Sequence, residues 1–174
     1  MSAGPAATRK DASAASSRPR TPSVAMGEIA VARNDGVLRT LLGSCLGVAL
    51  YDRRLKLAGL AHVVLPSSPG GDERPGKYAD TAIPAMIRGM QELAHGERLK
   101  LCAKIAGGAN MFNTADASST IGVQNIQAVE RILDDLRIPI IARHCGGEQG
   151  RKMALDTTTG AVTIDVVGAE TAIL

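Results

Sequence analysis

Cys45, Cys102 and Cys145 are the only thiols in the chain, and His62, His95 and His144 the only imidazoles. Cys45 and His62 form the pair with the clearest chemistry. A free thiol is mostly protonated at neutral pH, and a neighbouring imidazole lowers its pKa. The resulting thiolate–imidazolium pair can attack a carbonyl carbon and protonate the leaving group. A third polar group commonly orients the histidine, and Thr40 and Ser44 are the nearby candidates. Cys45 sits in TLLGSCLGVAL. Gly43 lets the backbone turn sharply there, and N–H groups left at such a turn can form an oxyanion hole.

Each of these residues also has a purely structural reading. His62 lies in AGLAHVVLP, and a lone histidine among aliphatics is ordinarily a hydrogen-bonded core residue. Cysteine commonly serves as a small buried hydrophobe. That suits Cys102, between Leu101 and Ala103. Cys145 is a rival nucleophile, preceded by His144 and followed by Gly146-Gly147. Neighbours on a strand point to opposite faces, however, so His144 is badly placed to activate it. His95 reads as the exposed end of a helix. The run GGEQGRK at 146–152 lacks P-loop spacing and precedes no helix.

The elements that must position the pair are short strands. Gly47–Tyr51 and Lys56–Leu65 read as consecutive strands joined at Asp52-Arg53-Arg54. As antiparallel neighbours they bring Cys45 and His62 to one end of a sheet. Asn34-Asp35-Gly36 is a turn signal before them. Residues 78–95 read as a helix with Ala79, Ala82, Ile83, Met86, Met90 and Leu93 on one face. Residues 121–136 read as a second helix, capped by Thr120, with Ile126, Val129, Ile132, Leu133 and Leu136 as its stripe. Strands are expected at 100–105, 138–142, 152–156 and 161–167. The order specifies an α+β domain rather than a regular βαβ alternation.

Composition narrows the functions. The aromatics are Phe112, Tyr51 and Tyr78, with no Trp, so the core is aliphatic and base-stacking platforms are lacking. The net charge of +3 comes from Arg9, Lys10, Arg18 and Arg20 against Asp11 in residues 1–24. The remaining residues balance to zero, which argues against nucleic acid. Residues 1–24, rich in Ala, Ser, Pro and Arg, are expected to be a disordered tail, and 25–174 a single domain. No CxxC or zinc-type spacing is present, so no metal or other cofactor is expected. Unpaired thiols suggest the cytoplasm. No apolar run is long enough to be membrane-inserted.

Around these residues the chain resembles the bacterial chemoreceptor glutamine deamidases, the CheD family. The resemblance runs through Gly27-Glu28, Thr40, Leu-Gly-Ser-Cys at 42–45, His62, Leu65-Pro66 and GKYADTA at 76–82. It continues through KIAGGANMF at 104–112, Ile121-Gly122, Asn125, GG..GRK at 146–152 and DTTTGAV at 156–162. It covers about residues 25–168.

The resemblance implies hydrolysis of glutamine side chains on chemoreceptors, with release of ammonia, and related action on glutamate methyl esters. It implies Cys45, His62 and Thr40 as the catalytic set. It also implies a layered α/β sandwich of mixed or antiparallel sheets with two main helices, similar to the catalytic domain of cytotoxic necrotizing factor toxins. A methyl-accepting receptor domain is the implied protein substrate, and a chemotaxis phosphatase a partner of some members. Gly43 and Ser44 are oxyanion or orienting candidates. Tyr78, Asp80, Asn110 and Phe112 are candidates for the substrate surface; each can equally serve only a helix start or a loop. The competing readings are a chemotaxis adaptor that works by docking, and a cysteine protease or acyl transferase.

Overall fold

The central pair of strands has no polar face. In the computed structural model, which describes residues 23–71, 74–111 and 120–174, β3 (Leu46–Asp52) and β4 (Leu57–Val63) are buried at every position. A strand buried on both faces must be covered on both. It pairs into a five-stranded sheet with β1 (Ile29–Arg33), β5 (Cys102–Gly107) and β6 (Ile140–Cys145), in the order β1-β4-β3-β5-β6. One face packs on α1 (Ala79–Leu93) and α2 (Ile121–Asp135) through Leu46, Val48, Ala61, Val63, Ile83, Met86, Val129 and Leu133. The other packs on a second sheet.

That second sheet is antiparallel and contains β2 (Val37–Leu42), β7 (Arg151–Asp156), β8 (Val162–Val166) and β9 (Ala172–Ile173). Here burial alternates, with Leu38, Thr40 and Leu42 facing inward from β2. They meet Ala49, Tyr51, Ala58 and Leu60 of the central strands. The molecule is therefore an α+β sandwich: helices, mixed sheet, antiparallel sheet. The only parallel pairing among the described strands is β5 with β6, joined through α2.

Several expectations shift in detail. Asn34-Asp35-Gly36 is a turn, with φ of 49° at Asn34 and 72° at Gly36. It closes no hairpin, because β1 pairs with β4 and β2 with β7. Buried Thr157 holds it, accepting from Asp35 N at 2.9 Å and donating to Gly36 O at 2.9 Å. The chain thus crosses from one sheet to the other within three residues. Ser23 and Val24, expected in the tail, join the body: exposed Ser23 bridges to Arg39, and Val24 is 3% exposed. The rest of that tail lies outside the described residues.

In α2 the buried set is Gly122, Asn125, Ala128, Val129 and Leu133. Leu136 is exposed, and Ile126 and Ile132 are only partly buried. A polar side chain, Asn125, takes a core position. Thr120 caps the helix, accepting from Val123 N at 3.4 Å. No helix among the described residues is long and apolar enough to cross a membrane.

Candidate active site

The register of β3 with β4 sets Gly47 opposite His62. Cys45 lies two residues before Gly47, so pleat alternation directs it to the same face as His62, on a diagonal. That face looks toward the second sheet, since Cys45 packs with Leu42, Ala49 and Met153. Gly47 lets the second sheet pack closely onto this face. A Cβ there would lie 2.6 Å from Met153 Sδ and 2.8 Å from Leu42 Cδ1. Cys45 is half-buried and His62 is 3% exposed.

Thr40 reaches His62 across the gap between sheets, with Oγ1 2.7 Å from Nδ1. The same hydroxyl donates to Val24 O at 2.7 Å. A hydroxyl carries one hydrogen and a carbonyl only accepts. The hydrogen therefore goes to Val24, and His62 Nδ1–H donates to Thr40. His62 is then the Nδ1–H tautomer, with a lone pair on Nε2. That nitrogen is buried and has no hydrogen-bond partner. The His62 backbone is also held, its N donating to Glu28 O and its O accepting from Gly27 N, both at 3.0 Å.

Burial pushes the Cys45 thiol up from its ordinary value, and its own backbone N–H only partly offsets this. Burial pushes His62 down, against a smaller opposing contribution from the Val24 backbone. Both directions favour neutral groups. Burial thus works against a thiolate at Cys45 and an imidazolium at His62.

The turn Gly43–Cys45 is fixed at three successive carbonyls. Gly43 O accepts from Ala109 N at 2.9 Å, Ser44 O from Asn125 Nδ2 at 3.3 Å and Cys45 O from Gly108 N at 2.9 Å. Asn125 Nδ2 also donates to Val64 O at 3.0 Å, tying the turn to the residue just beyond β4. Gly107 supports the turn from below. Its φ is +113°, and a Cβ on it would fall 2.3 Å from Cys45 O. Only glycine fits that position without moving the Cys45 backbone.

The other expected residues lie around this centre rather than in it. No described hydrogen bond brings the Ser44 side chain to His62; Thr40 occupies that place. Tyr78 is buried, pairs with Leu65 and precedes α1, with Lys77 Nζ 5.0 Å from its ring centroid. Asp80 accepts from Ser68 N at 3.0 and 3.1 Å. It fronts a cleft of about 430 Å3 that it shares with Pro66, Ser67, Gln124, Gln127 and Arg131. Asn110 N donates to Gly147 O at 2.8 Å. Phe112 lies outside the described residues. Exposed Met111 covers Gly43, its Cγ 3.4 Å from where a Cβ would stand.

The rival thiol is quiet. Burial pushes Cys145 up to about 11, and its Sγ donates to Ile105 O at 3.7 Å. His144 turns instead to Arg151, whose Nη1 lies 2.8 Å from His144 Nδ1. Arg151 is 4% exposed and donates to the carbonyls of His144, Gly146 and Gln149. It holds the glycine-rich loop together. Spacing alone gave no role to Val24, Asn125 or Arg151. The available signals were a polar residue within an apolar helical stripe and a basic residue opening a buried strand.

Together these features put a half-buried thiol on the same sheet face as an imidazole whose Nε2 has no hydrogen-bond partner, at a turn that backbone contacts hold. Such a site can carry acyl transfer at a carbonyl carbon. Comparison with family models matches residues 64–166 to CheD, described as chemotactic sensory transduction. That match begins after Thr40, Cys45 and His62. Alignments with relatives reach further. A probable chemoreceptor glutamine deamidase CheD of Clostridium botulinum (strain Alaska E43 / Type E3) is 47% identical over 150 residues, covering 83% of this chain and 92% of the relative. The corresponding figures for the protein of that name in Methanococcus vannielii are 44% over 142 residues, 81% and 92%. The chemoreceptor glutamine deamidase CheD of Thermotoga maritima is 41% identical over 147 residues, covering 83% and 91%. Stretches of that length include positions 40, 45 and 62 wherever they begin.

Proposed function

The chain belongs to the CheD family of chemoreceptor glutamine deamidases, and on that premise we propose that Cys45, His62 and Thr40 carry out the hydrolysis. The enzyme converts glutamine side chains of chemoreceptors to glutamate in chemotaxis. As the Cys45 sulfur attacks the side-chain carbonyl carbon, His62 Nε2 takes the thiol proton. Carbonyl electrons move onto oxygen, and N–H groups of the Gly43–Cys45 turn stabilise that charge. The intermediate collapses as the imidazolium proton passes to nitrogen, so the C–N bond breaks and ammonia leaves. A thioester between Cys45 and the side chain remains. Water, deprotonated by His62, attacks it and releases glutamate and the thiol. The same path accepts a glutamate methyl ester, with methanol leaving in place of ammonia.

The observation that supports this reading is the Val24–Thr40–His62 chain of hydrogen bonds, which leaves Nε2 free on the face that carries Cys45. Thr40 keeps the imidazole in one tautomer and one orientation. The substrate surface extends over Asp80, Asn110 and Met111, and Tyr78 stands at the start of α1. The reading places the protein in the cytoplasm, working without a cofactor, with a chemotaxis phosphatase as an additional partner to be tested by pull-down.

The test uses a receptor cytoplasmic domain and peptide mass spectrometry. Wild-type protein converts specific glutamines to glutamate. Cys45→Ala and His62→Gln lose at least about a hundredfold in rate, as for removal of a nucleophile or a general base, while circular dichroism stays native. Cleaved backbone or incorporated amine would point to a protease or transferase instead. Full conversion by Cys45→Ala would overturn the assignment.

A further inference from the structure

The segment preceding β1 touches the site from both sheets. Toward β2, Val24 N donates to Arg39 O at 2.7 Å, and Val24 O accepts from Thr40 Oγ1 at 2.7 Å. Toward β4, Gly27 N donates to His62 O at 3.0 Å, and Glu28 O accepts from His62 N at 3.0 Å. Between these anchors the segment is closed on itself. Ala25 N donates to Glu28 Oε2 at 2.9 Å, and Glu28 N donates to Ala25 O at 3.0 Å. The Val24 side chain is 3% exposed and packs in the core between the sheets.

We propose that Val24 is a positioning residue, whose backbone carbonyl decides which nitrogen of His62 carries the proton. This rests on the reading of His62 as the base. Thr40 Oγ1 can donate in one direction only. With Val24 O in place, the hydroxyl hydrogen is committed there, so Oγ1 offers Nδ1 only a lone pair. Nδ1 must hold the ring proton, and Nε2 is left basic.

Without that carbonyl the hydroxyl turns toward Nδ1 and donates to it. The ring proton then sits on Nε2, exchanged through water. The net charge and the number of protons on the ring do not change, yet the nitrogen beside Cys45 no longer accepts a proton. The segment before β1 is thus part of the catalytic apparatus through its main chain, where no side-chain motif marks it.

The experiment reads the tautomer directly, by two-bond 15N–1H correlation of histidine-labelled, full-length protein at pH 8. Wild type should show His62 with Nδ1 protonated and Nε2 unprotonated. Val24→Gly removes the buried side chain that seats the carbonyl. It should move His62 toward Nε2–H and lower kcat about tenfold or more, with KM within about twofold, as expected of an outer group that orients a functional histidine. Replacing Ala25 with lactate by ligation turns the Val24 carbonyl into a weaker ester acceptor while keeping every side chain, and should act in the same direction. It also deletes the Ala25 N–H, so Glu28→Ala, which breaks the same contact, is the control and should keep Nδ1–H.

In the Val24→Gly, Thr40→Val double variant no hydroxyl remains to misdirect the proton. Its kcat should fall no further than that of Thr40→Val alone. A wild-type tautomer in both the Val24→Gly and lactate proteins would overturn the proposal, as would losses that multiply in the double variant. A fully active His62→Gln would instead overturn the base reading and the kinetic half of the proposal, leaving the tautomer shift as a separate result on Val24.

Discussion

Thr40 Oγ1 lies 2.7 Å from His62 Nδ1, although the two residues belong to strands of different sheets. The contact is a hydroxyl's work, so the side chains that can replace it are few. Thr40→Ser keeps the hydroxyl and should retain most activity. Thr40→Val keeps the shape and removes the partner. It should lower kcat by roughly 10–100-fold, the range for an outer group that orients a functional histidine, with KM little changed. Steady-state deamidation of a receptor fragment separates the two. A Thr40→Val enzyme with wild-type kcat would sink the orienting role.

The protonation states set a pH profile. His62 is held below its ordinary 6.5 and must be neutral to act as base. Activity should therefore persist below pH 6.5 before its acid limb begins. Stability follows the same sign. The folded state resists protonating His62 while the unfolded chain accepts a proton near 6.5, so this contribution is fully present above 6.5 and is lost as pH falls through the lower, folded value. Cys45 lies on the other side. Its pKa is raised above 9.0, so its contribution is present below 9.0 and is lost as pH rises through the folded value. Chemical denaturation from pH 5 to 10 should show a plateau between these limits. His62→Gln should flatten its acid edge.

Gly107 and Gly36 offer a controlled comparison. Both have positive φ, but a Cβ at Gly36 meets nothing within 4 Å, whereas at Gly107 it meets Cys45 O at 2.3 Å. Gly36→Ala should cost about 1–2 kcal/mol for the left-handed backbone alone. Gly107→Ala should cost more, because the Cys45 carbonyl must move, and it should reduce deamidation at temperatures where the protein is still folded. Thermal melts and rates of the two variants test this, and equal losses in both would contradict the close approach.

Asn125 should matter to both stability and rate. Asn125→Leu leaves the Ser44 and Val64 carbonyls without their donor. An unsatisfied group of this kind costs about 1–3 kcal/mol, and a chain of this size loses about 2–4 °C in Tm per kcal/mol. If the turn depends on this tie, the fall in kcat should exceed what the loss of folded protein explains. A variant with lower Tm but native kcat at low temperature would confine Asn125 to a structural role.

Much of this arrangement was readable from residue order. Cys45 directly precedes β3 and His62 lies on the next strand, β4, and the tight turn between those strands brings them to one sheet end. Thr40 was less accessible to reasoning from residue order. The turn at Asn34–Gly36 reads as a local connection, yet it transfers the chain to the other sheet. Nothing in residue spacing says that β2 leaves β1 to pair with β7, more than a hundred residues later. Asn125 was hidden for a related reason. The apolar periodicity of α2 marks Ile126, Val129, Ile132, Leu133 and Leu136, and Asn125 shares that face one turn before Val129, but periodicity does not say that its amide reaches the carbonyls of Ser44 and Val64. The Val24 contribution is made by main-chain atoms, which every residue type possesses.

The proposed catalytic set straddles two separately hydrogen-bonded sheets, with Cys45 at the entry to β3 and His62 on β4 of one, and Thr40 on β2 of the other. A chain that has formed only the central sheet holds a thiol and an imidazole but no oriented base. On the proposed mechanism, hydrolytic competence therefore depends on the closed sandwich, with both sheets packed face to face.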